Sequence, residues 1–330
     1  MKRQNFTPIG LILILSIVFC ASCGSKKYVA KMTDPSVKSA DDVDEIYYSD
    51  YFSFQGEDEK GVVLLAVDNN RWKGEKYGID HYTVIYDKGQ WIPMKGNRKN
   101  FDNPSKKVAQ IPNDEIYTFE GTPETGMTIT SEANGFTLKI EPLVVTTKNE
   151  KGFAQFTMLS AAGTLIWKGK QIKGRVIEEY LVLPCFSKRK SQFLKLSGGG
   201  KPTLNCLYLA VEGGGDLYFH SSNPRSGGME FISGNNLGFL HLNEGNSYPF
   251  YKGKVLNISR SDRKLFYKYP MDYNISLSDN APNAQLNIKT IERKGVRSFL
   301  LAGFSMAYIE GTLEIDGKKY RVFGLGELID

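Results

Sequence analysis

The sequence GTLIWKGKQIK at residues 163–173 returns in altered form as GTLEIDGKKYR at residues 311–321. The two stretches share Gly-Thr-Leu at their start and Gly-Lys near their centre, at a constant offset of 148 residues. Each places two strand-like runs around a turn-forming glycine, so each predicts a β-hairpin. A repeat at this distance has the size of a domain, which favours two related β domains over a solenoid of short repeats.

The rest of the chain carries the same strand-like pattern. Apolar and polar residues alternate over residues 136–141, and residues 62–67 form the short apolar run of a strand buried on both faces. Turn-forming pairs such as Asn134-Gly135 separate these runs. No stretch of twelve residues has the apolar spacing and the caps of a helix. The sequence therefore predicts an all-β protein.

The start of the chain has the pattern of a bacterial lipoprotein signal. A positively charged beginning precedes an apolar run at residues 9–19, which is too short to span a bilayer. Small residues then lead to Cys23, the expected site of lipidation, so residues 1–22 are predicted as a signal peptide and residues 23–42 as a lipidated tether. An uncleaved signal anchor is the alternative. Cys20 and Cys23 have Cys-x-x-Cys spacing, but no second Cys or His pair lies nearby in sequence to complete a metal site.

Composition places the remainder in the ordinary globular class. The 330 residues are 41% hydrophobic and 24% charged, and the length suffices for two domains. The formal net charge of +6 falls to +4 without Lys2 and Arg3, which is too little to indicate nucleic acid as a partner. Residues 187–203, which are basic and rich in glycine, are predicted as a linker between domains at residues 43–186 and 204–330.

No motif for a metal or a cofactor is present in the sequence. His81, His220 and His241 are spaced unlike any metal site, and the glycine-rich stretches lack the lysine of a phosphate-binding loop. The sequence therefore predicts neither a metal nor a cofactor. After processing, Cys185 and Cys206 would be the remaining thiols, and an exported protein allows either a disulfide between them or two buried free thiols.

The end of the chain resembles the closing motif of the carotenoid hydratase and AttH-like proteins. That motif pairs Tyr-Trp-Glu-Gly with a later Gly-Arg-Gly-Tyr-x-Glu-Leu, and this chain has YIEG at residues 308–311 and GLGEL at residues 324–328. GRVIEEY at residues 174–180 follows the first hairpin in the order found in the family. The resemblance covers roughly residues 45–330. It implies two lipocalin-like β-barrel domains in tandem, and some such proteins hydrate isolated double bonds of terpenoids or cyclise terpenoid substrates.

Two adjacent carboxyl groups, Glu178 and Glu179, are the candidate catalytic residues. Protonation of a carbon–carbon double bond needs an acid in an apolar site that raises its pKa. Neighbouring residues of a strand point to opposite faces, so at most one of the two is expected inside a barrel. Hydration of both at a strand end is the alternative. Glu327 has the same ambiguity, since it follows the second hairpin as Glu178 follows the first.

Several further residues are candidates for lining a ligand cavity, because a closed barrel of about eight strands can hold one small apolar molecule. They are Trp167, Tyr180, His220, His241, Tyr308 and Glu310. The sequence thus supports first a lipoprotein, anchored to the bacterial envelope and expected at the outer membrane, that binds a hydrophobic lipid- or terpenoid-like molecule. The second hypothesis is a hydratase- or isomerase-like enzyme with an inward-facing glutamate. The third is a non-catalytic interaction protein of the cell envelope.

Overall fold

The computed structural model describes residues 46–73, 77–101, 113–149, 155–184, 204–222, 237–242, 247–250, 253–264, 267–277, 284–299 and 302–329. These residues form twenty β-strands and one short 3-10 helix at Glu132–Asn134, and no α-helix occurs among them. The all-β class is therefore confirmed. The predicted signal peptide, tether and linker lie outside the described residues.

The first sheet has eleven strands, which are β1 Ile46–Asp58, β2 Gly61–Lys73, β3 Tyr77–Asp87, β4 Gln90–Pro93, β5 Asn97–Phe101, β6 Thr118–Thr122, β7 Gly126–Ser131, β8 Phe136–Ile140, β9 Val144–Asn149, β10 Gln155–Trp167 and β11 Lys170–Pro184. Its order is β4-β3-β2-β1-β11-β10-β8-β7-β6, with β5 paired to β3 and β9 paired to β10. The first and last strands of this half, β1 and β11, are therefore neighbours at its centre.

The second sheet has nine strands, which are β12 Leu204–Val211, β13 Gly215–Ser222, β14 Leu237–His241, β15 Ser247–Phe250, β16 Lys254–Lys264, β17 Tyr267–Leu277, β18 Ala284–Phe299, β19 Ala302–Ile315 and β20 Lys318–Ile329. Its order, β15-β14-β13-β12-β20-β19-β18-β17-β16, repeats the plan of the first sheet, with the first and last strands paired. Each sheet curls into a barrel-like form, so the predicted pair of lipocalin-like domains is confirmed as the fold class.

The two repeated stretches are the β10–β11 and β19–β20 hairpins. Lys168 and Gly169 form the first turn with φ of 50° and 74°, and Asp316 and Gly317 form the second with φ of 49° and 80°. Two central residues with positive φ match the right-handed twist of the strands that they join. The hairpins predicted from the internal repeat are thus confirmed.

Each sheet encloses a core of its own, and the two cores differ in polarity. Among the described residues, the buried side chains of the second interior are uncharged, for example Leu207, Leu209 and Ser305. The first interior has a large apolar core as well, but it also contains Arg71, whose guanidinium donates a hydrogen bond to Asp50, with both side chains fully buried. The first sheet therefore has a buried ion pair built into its interior wall.

The outer faces of the two sheets pack against each other to form a third buried region, here called the interdomain layer. It consists of outward-facing residues of β1, β2, β3, β10 and β11 on one side and of β12, β13, β14, β19 and β20 on the other. Tyr51 and Met158 from the first sheet meet Tyr208 and Met306 from the second in this layer. Alternation along each strand thus buries one set of side chains inside a barrel and the other set between the barrels.

Candidate functional site

The adjacent glutamates on β11 occupy two different environments. Glu178 lies opposite Phe52 of β1, faces the first interior and is fully buried. Glu179 lies opposite Tyr51, faces the interdomain layer and keeps part of its surface accessible. Neither side chain is fully hydrated at a strand end, because both faces of β11 are covered by packing.

A third carboxyl group, Glu327 of β20, comes to the same place from the second sheet. In the hairpin register Glu179 lies opposite Met158, and Glu327 lies opposite Met306. Both residues of the second pair stand 148 positions after those of the first, which is the offset of the repeated stretches. The counterpart of Glu327 is therefore Glu179, which corrects the sequence analysis, where Glu178 was taken as the equivalent residue.

Hydroxyl groups of two tyrosines lie against the carboxyl groups, and one of them contacts both. Tyr208 Oη lies 2.6 Å from Glu179 Oε2 and 3.2 Å from Glu327 Oε2, and it can donate to either one. Tyr218 donates a second hydrogen bond to the same Glu179 oxygen at 2.8 Å. Glu179 and Glu327 with these tyrosines are called the acid pair site below.

Burial shifts the pKa of each acidic group in this site. Loss of hydration raises the pKa of Glu179, and the hydrogen bonds from Tyr208 and Tyr218 oppose that rise. For Glu327, burial together with the nearby carboxylates of Glu179 and Asp68 raises the pKa well above its ordinary range. Burial thus raises the pKa of both carboxyl groups, and two nearby carboxylates add to the rise at Glu327.

Aromatic rings surround the pair. The ring of Tyr51 stacks on that of Tyr208 with centroids 4.8 Å apart, and Tyr208 lies 5.2 Å from Tyr218. Phe239 stacks on Tyr218 at 6.2 Å. Ring faces at these distances form a wall that attracts positive charge and repels water.

Cys206 and His220 complete the site on the side of the second sheet. Cys206 is a buried free thiol, 3.4 Å from His220 Nδ1, and burial raises its pKa well above the usual range. Burial also lowers the pKa of His220 to about 3, so the imidazole is neutral. A neutral thiol beside a neutral imidazole is not an activated nucleophile. Cys185, its proposed disulfide partner, lies outside the described residues.

The remaining predicted residues lie away from the acid pair. Trp167 and Tyr180 belong to the first core, where the Trp167 indole donates to Asp87 at 3.0 Å. Tyr308 lies in the interdomain layer with its ring 4.7 Å from that of Tyr86. The other two of this set lie beside arginine side chains, since Glu310 accepts a hydrogen bond from Arg321 and His241 Nδ1 lies 3.4 Å from an Arg175 nitrogen. Of the residues considered in the sequence analysis, the structure thus brings Glu179, Glu327 and His220 into the acid pair site.

Tyr208 and Tyr218 were not among the sequence candidates for this site. A strand pattern marks each of them only as a residue with one buried face. The offset of 148 residues between Glu179 and Glu327 was the available signal, since equivalent positions of two packed repeats can meet near their common axis. In the part of the chain that the structure describes, no cluster of His, Cys, Asp and Glu is suited to hold a metal ion.

No helix among the described residues is long and apolar enough to cross a bilayer.

The fold and site define a class of protein: two lipocalin-like β domains packed face to face, here with a carboxyl pair between them. A protein described as AttH from Nitrosomonas europaea shares the fold, with a TM-score of 0.58 and 12% identity over 91% of this chain and 96% of that one. Kievitone hydratase from Nectria haematococca shares it with a TM-score of 0.52 and 9% identity over 92% and 97%. The resemblance seen in the sequence is therefore confirmed at the level of the fold. No family model matches the chain, and no curated protein matches it in sequence.

Proposed function

We propose that this chain is a membrane-tethered acid–base enzyme, hydratase- or isomerase-like, that acts on a carbon–carbon double bond of an apolar substrate. The observation that carries the proposal is the contact of one hydroxyl, that of Tyr208, with both Glu179 and Glu327. Two carboxyl groups this close in a poorly hydrated site do not both ionise at neutral pH. The pair therefore offers one carboxylic acid and one carboxylate side by side.

The surroundings assign the two roles. Glu327, whose pKa is raised by burial and by two neighbouring carboxylates, is the proton donor. Glu179 accepts hydrogen bonds from two tyrosines, which stabilise its charged form, and is the base. Tyr208, in contact with both, provides the path by which a proton returns from one carboxyl group to the other.

In the proposed hydration, Glu327 gives its proton to one alkene carbon, and the π electrons form the new C–H bond. The neighbouring carbon becomes a cation beside the rings of Tyr51 and Tyr208 and the carboxylate of Glu179. Water adds to the cation and gives a proton to Glu179, and that proton returns to Glu327 through Tyr208. The net reaction adds one water molecule across the double bond. Isomerisation results instead when Glu179 removes a proton from the carbon next to the cation.

In this proposal the hydrophobic ligand binds in the interdomain layer, whereas the sequence analysis expected it inside a barrel. In the first interior, fully buried side chains such as Phe52 and Arg71 occupy the wall. Glu179 and Glu327 keep part of their surface accessible, and in this proposal the apolar substrate approaches them from that side. The hydratase name of one structural neighbour fits this chemistry, although that likeness is one of fold.

The site of action in this proposal is the surface of a bacterial envelope membrane, with the outer membrane as the expected one. Lipidation of Cys23 would supply the anchor, and the polar residues that follow it would supply the tether. Replacement of Cys23 by Ser is expected to release the protein from the membrane fraction. Retention of the Cys23→Ser protein there would favour an uncleaved signal anchor.

Incorporation of solvent deuterium into carbon tests the chemistry before the substrate is identified. The purified mature chain is incubated in heavy water with a panel of isoprenoids that have isolated double bonds, and products are analysed by mass spectrometry. We expect deuterium bound to carbon, with a loss of about 100-fold or more in Glu327→Gln and Glu179→Gln. Glu314→Gln, a change at a half-exposed position of β19 outside the acid pair site, is the matched control and should retain the wild-type rate.

Infrared spectroscopy provides a readout that needs no substrate. The protonated carboxyl group of Glu327 should give a carboxylic C=O band at neutral pH that disappears in Glu327→Gln and persists in Glu314→Gln. A panel with no deuterium incorporation, together with no such band in the wild-type protein, would refute the enzyme proposal. A band without incorporation would favour a non-catalytic carrier.

A further inference from the structure

The first sheet places the acid pair site near the end at which its first strand begins. β1 starts at Ile46, and Tyr51, opposite Glu179, follows five residues later, or about 16 Å along the strand. Residues 1–45, with the predicted lipidation site and tether, precede this strand. The tether therefore leads to this end of the molecule, which is called the entry end below.

The second sheet has the acid pair site near the same end. Arg321 of β20, six residues before Glu327, donates a hydrogen bond to Glu57 at 2.8 Å. Glu57 lies six residues after Tyr51, in the direction away from the start of β1. The two sheets therefore run in the same sense along the interdomain layer, and the last residues of β20 lie at the entry end.

Partly exposed aromatic and apolar side chains lie at the entry end. Tyr47 is opposite Trp72 of β2, and both side chains are partly exposed, as is that of Leu181 on β11. The Trp72 ring lies across Gly78, where even a Cβ atom would collide with it, so glycine at this position makes room for the indole. Tryptophan and tyrosine side chains with one apolar and one hydrated side are typical of the boundary between lipid and water.

Basic residues are concentrated at the same end of the second sheet. Lys294 of β18 lies opposite Met306, which lies opposite Glu327, so this part of β18 is level with the acid pair. The ends of β16 and β18 and the start of β17 contain two acidic residues, Asp262 and Glu292, and three times as many basic ones. The basic residues are Arg263, Lys264, Lys268, Arg293, Lys294 and Arg297.

At the opposite end of the strands, lysines of the hairpin turns lie beside carboxylates. Lys88 contacts Asp58 at 2.8 Å in the first sheet, and Lys319 lies 3.9 Å from Glu314 in the second. Charge is thus nearly balanced there, whereas the entry end of the second sheet has an excess of positive charge. Such an excess attracts anionic lipid head groups over a distance of about 10 Å.

We propose that the entry end docks against a lipid membrane with anionic head groups, and that the apolar substrate passes from this membrane into the interdomain layer. The inference rests on the membrane location in the proposed function and identifies the substrate as a molecule dissolved in the bilayer. A tether that joins the fold at Ile46 holds the entry end closest to the membrane. Trp72 and Leu181 then lie at the lipid boundary, between the bilayer and the acid pair.

Quenching of tryptophan fluorescence by brominated phospholipids tests this orientation. The lipidated mature chain is reconstituted into vesicles of phosphatidylethanolamine and phosphatidylglycerol, with bromine on the acyl chains near the head groups. Trp72 is level with Leu183 of β11, whereas Trp167 lies opposite Lys170 of the same strand, 13 residues or about 40 Å away. We expect quenching in the wild type that is lost in Trp72→Phe and retained in Trp167→Phe, the matched control.

Charge reversal tests the choice of lipid. Lys268→Glu combined with Arg297→Glu should lower the docking equilibrium about 30-fold or more in the same vesicles, because each basic residue near an anionic surface contributes to binding. Lys318→Glu combined with Lys319→Glu, at exposed positions of the opposite end, is the matched control and should dock as the wild type does. These variants keep Trp72, so they test docking even if Trp72→Phe folds poorly.

The possible failures are distinguishable. A chain recovered with the vesicles but without quenching that depends on Trp72 would refute docking of the entry end and leave the membrane location intact. A chain absent from the vesicles would refute both. Equal quenching after charge reversal at Lys268 and Arg297, or in vesicles of phosphatidylcholine alone, would overturn the assignment to anionic lipid. Catalysis is measured separately by deuterium incorporation and does not affect these results.

Discussion

The two halves of the molecule have the same plan and place different residues around equivalent glutamates. Tyr51 and Asp68 stand beside Glu179 in the register of the first sheet, whereas Cys206 and His220 stand beside Glu327 in the second. The shared hairpin thus delivers two carboxyl groups to one place, and the neighbours make them unequal. The interiors differ as well, since only the first has the buried Arg71–Asp50 pair among the described core residues.

The repeated hairpin thus determines where the two glutamates lie, and the residues around each glutamate determine its pKa. In a symmetric pair the two carboxyl groups would have equal pKa values, and the proton would be shared equally between them. Here the carboxylate of Asp68 adds to the rise in the pKa of Glu327, while two tyrosines donate to Glu179. Asymmetry around a nearly symmetric pair is what separates an acid from a base.

The largest expected effect comes from the buried ion pair that distinguishes the first interior. Arg71→Met leaves the Asp50 carboxylate buried without its partner and should lower the free energy of unfolding by about 3 to 5 kcal/mol. The double variant Arg71→Met with Asp50→Leu makes this interior resemble the second one and should regain most of the loss. Urea denaturation measures both. Equal loss in the single and double variants would show that the pair is not what stabilises this wall.

A smaller effect is expected from the pH dependence of the acid pair. The folded-state pKa of Glu327 is raised above its ordinary value of 4.5, so its contribution to stability is full below about pH 4.5 and is lost as the pH rises through the folded-state pKa. Glu327→Gln removes this dependence and should raise the free energy of unfolding by about 1 to 3 kcal/mol on the alkaline side.

Denaturation series from pH 4 to pH 9 on the wild type and Glu327→Gln test this, with Glu314→Gln as the control. The difference between wild type and Glu327→Gln should grow with pH. A difference that stays constant or grows toward acid would contradict the raised pKa. Asp58 behaves in the opposite sense, because hydrogen bonds from Lys88 and the Lys60 backbone lower its pKa to about 2, and its contribution is lost only in acid.

The smallest effect compares the two hairpin turns. Gly169 and Gly317 have φ of 74° and 80°, where an alanine is strained. Gly169→Ala and Gly317→Ala should each lower the free energy of unfolding by about 1 kcal/mol, with similar values because the turns are alike. Nothing lies within 4 Å of an added Cβ at either position, so the backbone alone is tested. Clearly unequal costs would show that the two repeats are not equivalent in energy.

Much of the fold followed from local patterns. The alternation of residues 136–141 and the run at 62–67 identified strands, and the latter is buried at every position, as its composition predicted. The two hairpins were recognisable because a two-residue turn with positive φ requires particular residues. Opposite orientation of Glu178 and Glu179 followed from the period of a strand.

The sequence predicted only part of the acid pair site. Glu179 was a candidate, but its environment was expected to be a barrel interior, and the interior position belongs to Glu178 instead. Tyr208 and Tyr218 come from strands of the other domain, at separations of 29 and 39 residues from Glu179. No local pattern reports a contact that forms only when two sheets pack by their outer faces.

The sequence by itself determined the all-β class, the duplication and its hairpins, because these depend on side-chain alternation and turn geometry within a few neighbouring residues. Only the tertiary structure decided which faces meet, and with them the partners of Glu179 and Glu327. The physical reason is that burial and hydrogen bonding across a domain interface depend on the summed packing of many strands. The charge and reactivity of a carboxyl group follow from that packing.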